Sequence, residues 1–206
     1  AIDTETLGLK TLRDRLCVVQ LAGADGVCHL VHYPTPDYDS PNLRRVVNDT
    51  SVLKLFHFGR FDIAVMEKFL GTTASPVYCT KIASKLVRTY TDRHGLKDLC
   101  RELLGVDLSK EQQSSDWGAD TLTEQQMAYA ASDVLHLHAL MAKLDAMLVE
   151  EANAQALRDE HEREEGDCAG VCHEARHVDV PRACVGGQPA QAERDREEEW
   201  RVHHGT

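Results

Sequence analysis

A chain of 206 residues, 42% of them hydrophobic, can enclose one sizeable core and is too short for two generous ones. Its 34 acidic residues against 23 basic ones leave a formal net charge of −11, a field that repels a polyanion and argues against a grip along an extended nucleic-acid backbone. Bound divalent cations or a small basic patch reverse the sign locally, so charge limits the grip and leaves the chemistry open.

Ala1 to Glu5 reads as the end of a strand, and because Ala1 already lies inside that pattern, residues upstream are expected to be missing. Arg15 to Ala22, with Leu16, Val18, Val19 and Leu21, reads as a buried strand. The turn Gly23-Ala24-Asp25-Gly26 joins it to a third strand over Val27 to Val31, which makes a hairpin. After the loop from Pro34 to Pro41, Asn42 to Asn48 predicts a short helix, Val52 to Phe58 a strand and Phe61 to Leu70 a helix. Further helices are expected over Thr80 to Val87 and over Leu96 to Leu104, the latter closed by Gly105. The polar stretch Ser109 to Gly118 is a loop. From Thr123, an N-cap with Gln126 three residues on, helical spacing runs through Tyr129, Val134, Leu137, Leu140, Leu144 and Leu148 to about Glu151. Strands followed by alternating helices and strand make an α/β sheet domain.

Residues 151–206 hold 14 acidic and 7 basic side chains, a single Leu, and no Ile, Phe, Tyr or Lys. The chain is therefore expected to divide into a folded domain over 1–150 and an atypical tail over 151–206, mostly disordered or packing only with help. Within that tail Cys168, Cys172, His173, His177 and Cys184 offer zinc-type ligands, at a spacing irregular for a structural site. The other cysteines, Cys17, Cys28, Cys79 and Cys100, sit in apolar runs and read as buried thiols of a reducing compartment, hence a cytoplasmic protein. No run reaches the roughly 18 apolar residues of a membrane span.

The chemistry-bearing residues fall in three segments. In Asp3-Thr4-Glu5, strand alternation puts both carboxylates on one face about 7 Å apart, and half-buried carboxylates so placed call for a cation between them. His57-Phe58-Gly59-Arg60-Phe61-Asp62 carries a further carboxylate from a strand end into the first turn of a helix. In Tyr129-Ala130-Ala131-Ser132-Asp133 the four-residue step stacks a phenol and a carboxylate on one helical face. Taken singly, Asp3 with Glu5, or Asp62 alone, is ordinary. His57 is open between a core histidine and a substrate contact, and Trp117 between packing and stacking on a base. The stripe Leu137, Leu140, Leu144 and Leu148 is core or subunit interface.

In their order these segments resemble the exonuclease motifs of the DEDD superfamily, and the Tyr four residues before the last Asp resembles its DEDDy branch, which contains ribonuclease D. The runs Arg13 to Leu21, Cys79 to Leu86, Thr89 to Lys97 and Lys110 to Trp117 extend the likeness, over about residues 1 to 150, to the nanoRNase C family. The resemblance implies a ribonuclease H-like 3′-5′ exonuclease domain, a mixed central sheet flanked by helices. It implies hydrolysis of short oligoribonucleotides, down to dinucleotides, to nucleoside 5′-monophosphates with two Mg²⁺ or Mn²⁺ ions held by Asp3, Glu5, Asp62 and Asp133, and with Tyr129 positioning the attacking water. Substrate contacts are expected from Thr4, Leu7, His57, Arg60, Gln112, Ser114 and Trp117, with the Arg93-His94 pair as further phosphate contacts, and relatives suggest a homo-oligomer. Two alternatives stand beside this reading. One is a broader ribonuclease D-like exonuclease on longer RNA or DNA; the other is an inactive nucleic-acid-binding domain.

Overall fold

The apolar run Leu16-Cys17-Val18-Val19 forms the middle of a three-stranded antiparallel sheet, buried on both faces. The computed structural model describes residues 1–10, 13–109 and 111–175. Strand β2 (Leu16–Ala22) pairs on one side with β1 (Ile2–Thr6) and on the other with β3 (Cys28–His32). The turn between β2 and β3 closes on Gly26, whose φ of 76° a side chain would resist. Between the pairs Glu5 with Val18 and Thr6 with Leu16 the register slips by one residue. Cys17 is the extra residue of that bulge, so Leu16 returns to the face of Val19, and the two share one apolar cluster while Cys17 and Val18 share another.

Helix α1 (Pro41–Asn48) leads to β4 (Lys54–Phe56), α2 (Arg60–Leu70), β5 (Val77–Cys79) and α3 (Thr80–Val87). Strands β4 and β5 run parallel, and β4 lies beside β1. Helix α4 (Leu96–Leu99) runs into a π-helical turn, Cys100–Leu104, which stops at Gly105 with φ 71°. Helices α5 (Glu124–Leu135) and α6 (Leu137–Ala175) complete the described chain. The architecture is α/β, with antiparallel and parallel strand pairs and helices around them, as expected.

Several boundaries differ from those the sequence predicts. The strand expected over Val52 to Phe58 shrinks to three residues, because the Val52 amide turns back onto the Asp49 carbonyl and Phe58 takes a φ of 64°. Strand β5 has three residues and therefore shows no period to read. The helical run from Thr123 breaks at His136, which separates α5 from α6 without disturbing the apolar spacing. The Thr123 and Gln126 capping box forms as read: each satisfies the other's backbone N–H. Helix α6 passes Glu151 and runs to Ala175; the stretch from Ala152 to Glu165, rich in Ala, Glu, Gln and Arg, has good helix propensity.

The chain divides into two units, Ala1–Leu157 and Arg158–Thr206. Of the tail cysteines and histidines, His177 and Cys184 lie outside the described residues, as do the side chains of Cys168, Cys172 and His173. Cys17, Cys28, Cys79 and Cys100 are free thiols; Cys17 and Cys100 are buried as expected, whereas Cys28 and Cys79 at strand ends are half-exposed. Among the described residues no helix is long and apolar enough to cross a membrane.

The sheet is covered on both faces. On one, Ile2, Leu16, Val19 and Phe56 pack against Leu43 and Val47 of α1 and Val65, Met66 and Leu70 of α2. On the other, Cys17 and Val18 pack against Ala130 of α5 and the loop residue Trp117. A third cluster joins Leu55 of β4 to Leu99, Cys100, Leu137 and Leu140. Truncating Leu140→Ala, at a side chain 0% exposed, is expected to lower the unfolding free energy by about 2–5 kcal/mol in urea titration. The control Leu86→Ala, at a side chain 62% exposed, is expected to change it by less than about 0.5 kcal/mol.

Candidate active site

Strand β1 lies between α2 and α5, and its alternation sends successive side chains to opposite helices. Asp3 and Glu5 project to the side of Val18 and Gln20, their cross-strand neighbours, and so toward α5. There they meet Asp133: one carboxylate oxygen from each of the three lies within 4.8 Å of the other two. Thr4 projects the other way, into the layer of α2, and its Oγ1 donates a 2.6 Å hydrogen bond to Asp62 Oδ1. Asp62 is thus placed from the opposite face, in the first turn of α2, near enough for its charge to act on Asp3, Glu5 and Asp133.

Burial and mutual repulsion govern the protonation of this group. Burial pushes Glu5 up to about 8, with Asp133 and Asp62 adding to the rise. Asp133 is pushed up to about 7, mainly by burial, against a hydrogen bond from Tyr129 that favours its charged form. Asp3 is raised well above the usual carboxylate range by burial and by Asp62, Asp133 and Glu5. Asp62 is raised by burial and held back by the Thr4 hydroxyl. The Tyr129 phenol is raised by burial and then by Asp133, Glu5 and Asp3, so it stays protonated and acts as a donor.

The carboxylates open into a cleft of two lobes, of about 540 and 320 Å³, that share Asp3, His57, Phe58, Gln113, Tyr129 and Asp133. The larger lobe runs along β1 and the loop after it, from Thr4 to Leu9, under Phe61, Ser114, Ser115 and Trp117. The smaller lobe is walled by Lys81, the segment Gly95 to Asp98, Leu108 and Ser109, and brings two lysines, Lys81 and Lys97, to the cleft.

The expected contact residues fare unequally. Leu7 is exposed and lines the larger lobe, as does Ser114. Thr4 lines it too, but its hydroxyl is committed to Asp62. Trp117 is 2% exposed; its ring packs in the core and lies 6.0 Å from that of Tyr129, so it buttresses the tyrosine. His57 lines both lobes, yet its Nδ1 lies 2.9 Å from Thr80 Oγ1, and burial followed by the Lys81 charge depresses it to about 4. It is therefore a neutral wall residue. Arg60 is exposed at the start of α2 and lines neither lobe. Gln112 lines an adjoining hollow of about 400 Å³ that shares Leu108, Ser109 and Tyr129 with the cleft, and accepts a 2.5 Å bond from Ser115 Oγ.

Gln113 takes the place in the cleft that the sequence suggested for Gln112, because a turn between Glu111 and Ser114 decides which amide faces inward. Arg93 is exposed, and His94 is buried with its Nδ1 2.8 Å from Ser84 Oγ. The fully buried Arg88 holds that segment, donating to Ser84 Oγ at 3.0 Å and to the Arg93 carbonyl at 2.9 Å and pairing with Glu102. Phe58, Lys81 and Lys97 were missed as cleft residues. Phe58 stands inside the His57 to Asp62 motif, and a bulky residue just before Gly59 at a strand end is the sequence signal for it.

Over 66% of its length the chain is 36% identical to a ribonuclease D of Gluconacetobacter diazotrophicus, and it spans 34% of that protein. Among solved structures, a nuclease in its apo form is similar at 55% identity, with 75% of each chain covered and a TM-score of 0.72. Brucella melitensis NrnC bound to pGG is similar at 46% identity over 90% of this chain and 89% of that one, with a TM-score of 0.71. The same protein with bound Mg²⁺ is similar at 45% identity, over 90% of this chain and 89% of that one, with a TM-score of 0.70. Residues 1–149 match the family described as 3′-5′ exonuclease, from β1 into α6, and the chain belongs to that family.

Proposed function

We propose that this chain is a metal-dependent 3′-5′ exoribonuclease of the DEDDy type that degrades short oligoribonucleotides, down to dinucleotides, to nucleoside 5′-monophosphates. The observation that carries the reading is the meeting of Asp3, Glu5 and Asp133 within 4.8 Å in a cleft that also holds Asp62 and Tyr129. The likeness to an NrnC bound to pGG supports the substrate class.

The donor set fits hard divalent cations: all are carboxylate oxygens, and their raised protonation marks a site that cations of charge +2 would relieve. Two Mg²⁺ or Mn²⁺ ions held by Asp3, Glu5, Asp62 and Asp133 would supply a water of lowered pKa and neutralise charge at the leaving 3′-oxygen. The chain's own residues do the rest. Thr4 fixes Asp62 through its hydroxyl. Tyr129, kept protonated, donates to Asp133 in the metal-free site; with cations bound to Asp133 its hydroxyl would be free to position the attacking water, and it does not serve as base. Trp117 keeps the phenol from turning away. Leu7 and Ser114 border the lobe where the terminal nucleoside would sit.

A time course with 5′-labelled RNA of two to about seven nucleotides is expected to show fast cleavage of the dinucleotide in Mg²⁺ or Mn²⁺ and none with chelator. Equal or faster trimming of long chains would favour a broader ribonuclease D-like exonuclease, and cleavage of no length a binding-only domain. Asp133→Asn is expected to abolish turnover without unfolding the protein. Tyr129→Phe is expected to lower kcat by about 10²-fold or more with KM little changed, and an equal loss in both would count against a water-positioning hydroxyl.

Stability of the metal-free protein carries a further signature. Glu5 at about 8 and Asp133 at about 7 retain protons that the unfolded chain has released, so their contribution is lost as pH rises through those values. His57, at about 4, acts in the opposite sense only below its unfolded value near 6.5. The melting temperature without metal is therefore expected to fall between about pH 6.5 and 8, and added Mg²⁺ or Mn²⁺ to raise it most at the upper end. A flat profile that Glu5→Gln does not alter would show that the carboxylates are not coupled as described.

A further inference from the structure

Phe58 combines three features that ordinary packing does not need. Its backbone sits at φ 64°, a conformation that is an outlier for a bulky residue and that concentrates at functional sites. The residue is 54% exposed, although it stands only two positions beyond a buried strand. It also stands in the wall common to both lobes of the cleft, with Asp3, Tyr129 and Asp133. The neighbouring residues hold it there. Gly59 is obligatory, since a Cβ at that position would come within 2.5 Å of Phe56 Cβ and Cγ. His57 is tied to Thr80 on the preceding side. Lys81 places its Nζ 4.1 Å from the centroid of the Phe58 ring, a cation–π contact that steadies the ring.

We infer that Phe58 is the stacking platform for a nucleobase of the bound oligonucleotide, at the junction of the two lobes. The inference rests on the exonuclease reading above. A flat, half-exposed ring beside a lysine suits a ligand that alternates π-faces with phosphates, and stacking on it is tolerant of base identity because every base has such a face. The strained backbone is then the means by which the ring leaves the core and enters the cleft.

The test uses the full chain and the dinucleotide pGG. Phe58→Leu keeps an apolar side chain and removes the π-face; KM is expected to rise on the order of tenfold while kcat stays within about threefold, and Phe58→Trp is expected to restore KM. Phe58→Gly supplies a control on folding. Glycine accepts the positive φ, so the melting temperature is expected to hold or rise while KM rises as in Phe58→Leu. A ring that served packing alone would give the reverse, with a lowered melting temperature and an unchanged KM in Phe58→Leu, and that result would overturn the inference. Binding of a 2-aminopurine dinucleotide to the Asp133→Asn protein reads stacking without cleavage: quenching that Phe58→Leu abolishes is expected, and quenching that survives it removes the platform. If the parent protein neither binds nor cleaves pGG, the exonuclease reading falls together with the inference; if it cleaves pGG and Phe58→Leu matches it in KM and quenching, the inference alone falls.

Discussion

Negative charge confined to a half-buried cleft is the constraint around which this molecule is arranged. Two carboxylates no more than 4.8 Å apart repel by about 3 kcal/mol or more at the effective dielectric of a protein site, before any desolvation is counted. A chain of its size has total stability of about 5–15 kcal/mol, so a cluster of this kind survives only if its geometry is imposed from outside. Strand β1 imposes it. Held by β2 on one edge and flanked by β4, it cannot rotate Asp3 or Glu5 away, and α5 brings Asp133 to them along a face anchored by Ala130 and Val134, both fully buried. Protonation takes up part of the strain, which is why Glu5 and Asp133 are displaced to about 8 and about 7.

Asp62 shows how the same constraint is eased by separation. It reaches the cluster from the α2 face of β1, not from the face of the other three, and its charge is met by the Thr4 hydroxyl. The Asp-Thr-Glu order of β1 is therefore more than two carboxylates with a spacer. The middle residue belongs to the other face and supplies the donor that the helix carboxylate needs. Around this arrangement the cleft walls are stiff: Trp117 is buried against Tyr129, Arg88 is buried under the His94 segment, and Gly59 permits a turn that no other residue fits without moving Phe56.

What the sequence disclosed follows from the range of the signals. Alternation over Asp3 and Glu5, the four-residue step from Tyr129 to Asp133 and the capping box at Thr123 are local, and each is present as read. The bulge at Cys17 is not local to any pattern, because it is set by which register lets both sheet faces pack. Strand β5 has too few residues to show a period, and the break at His136 leaves the apolar spacing of α5 and α6 in phase. The cleft walls were legible only in part. Gln112 and Gln113 are indistinguishable in composition, and a single turn chooses between them. Arg60 is a cation beside the Asp62 carboxylate in sequence, yet it lines neither lobe, while Lys81, one helix later, lies over the Phe58 ring.

The placement of those lysines bears on the length of ligand that suits such a protein. A chain of net charge −11 repels a polyanion at long range, and the repulsion grows with each phosphate the ligand carries. Attraction that does not grow with length must come from fixed points inside the cleft, and Lys81 and Lys97 in the smaller lobe are such points. Both stand in the smaller lobe, on one side of the carboxylates. On the proposed function, phosphates that reach beyond these two lysines would add repulsion from the acidic protein. Under the exoribonuclease function proposed above, this uneven distribution of charge would favour a short polyanion over a long one, by the same placement of charge that gathers the carboxylates.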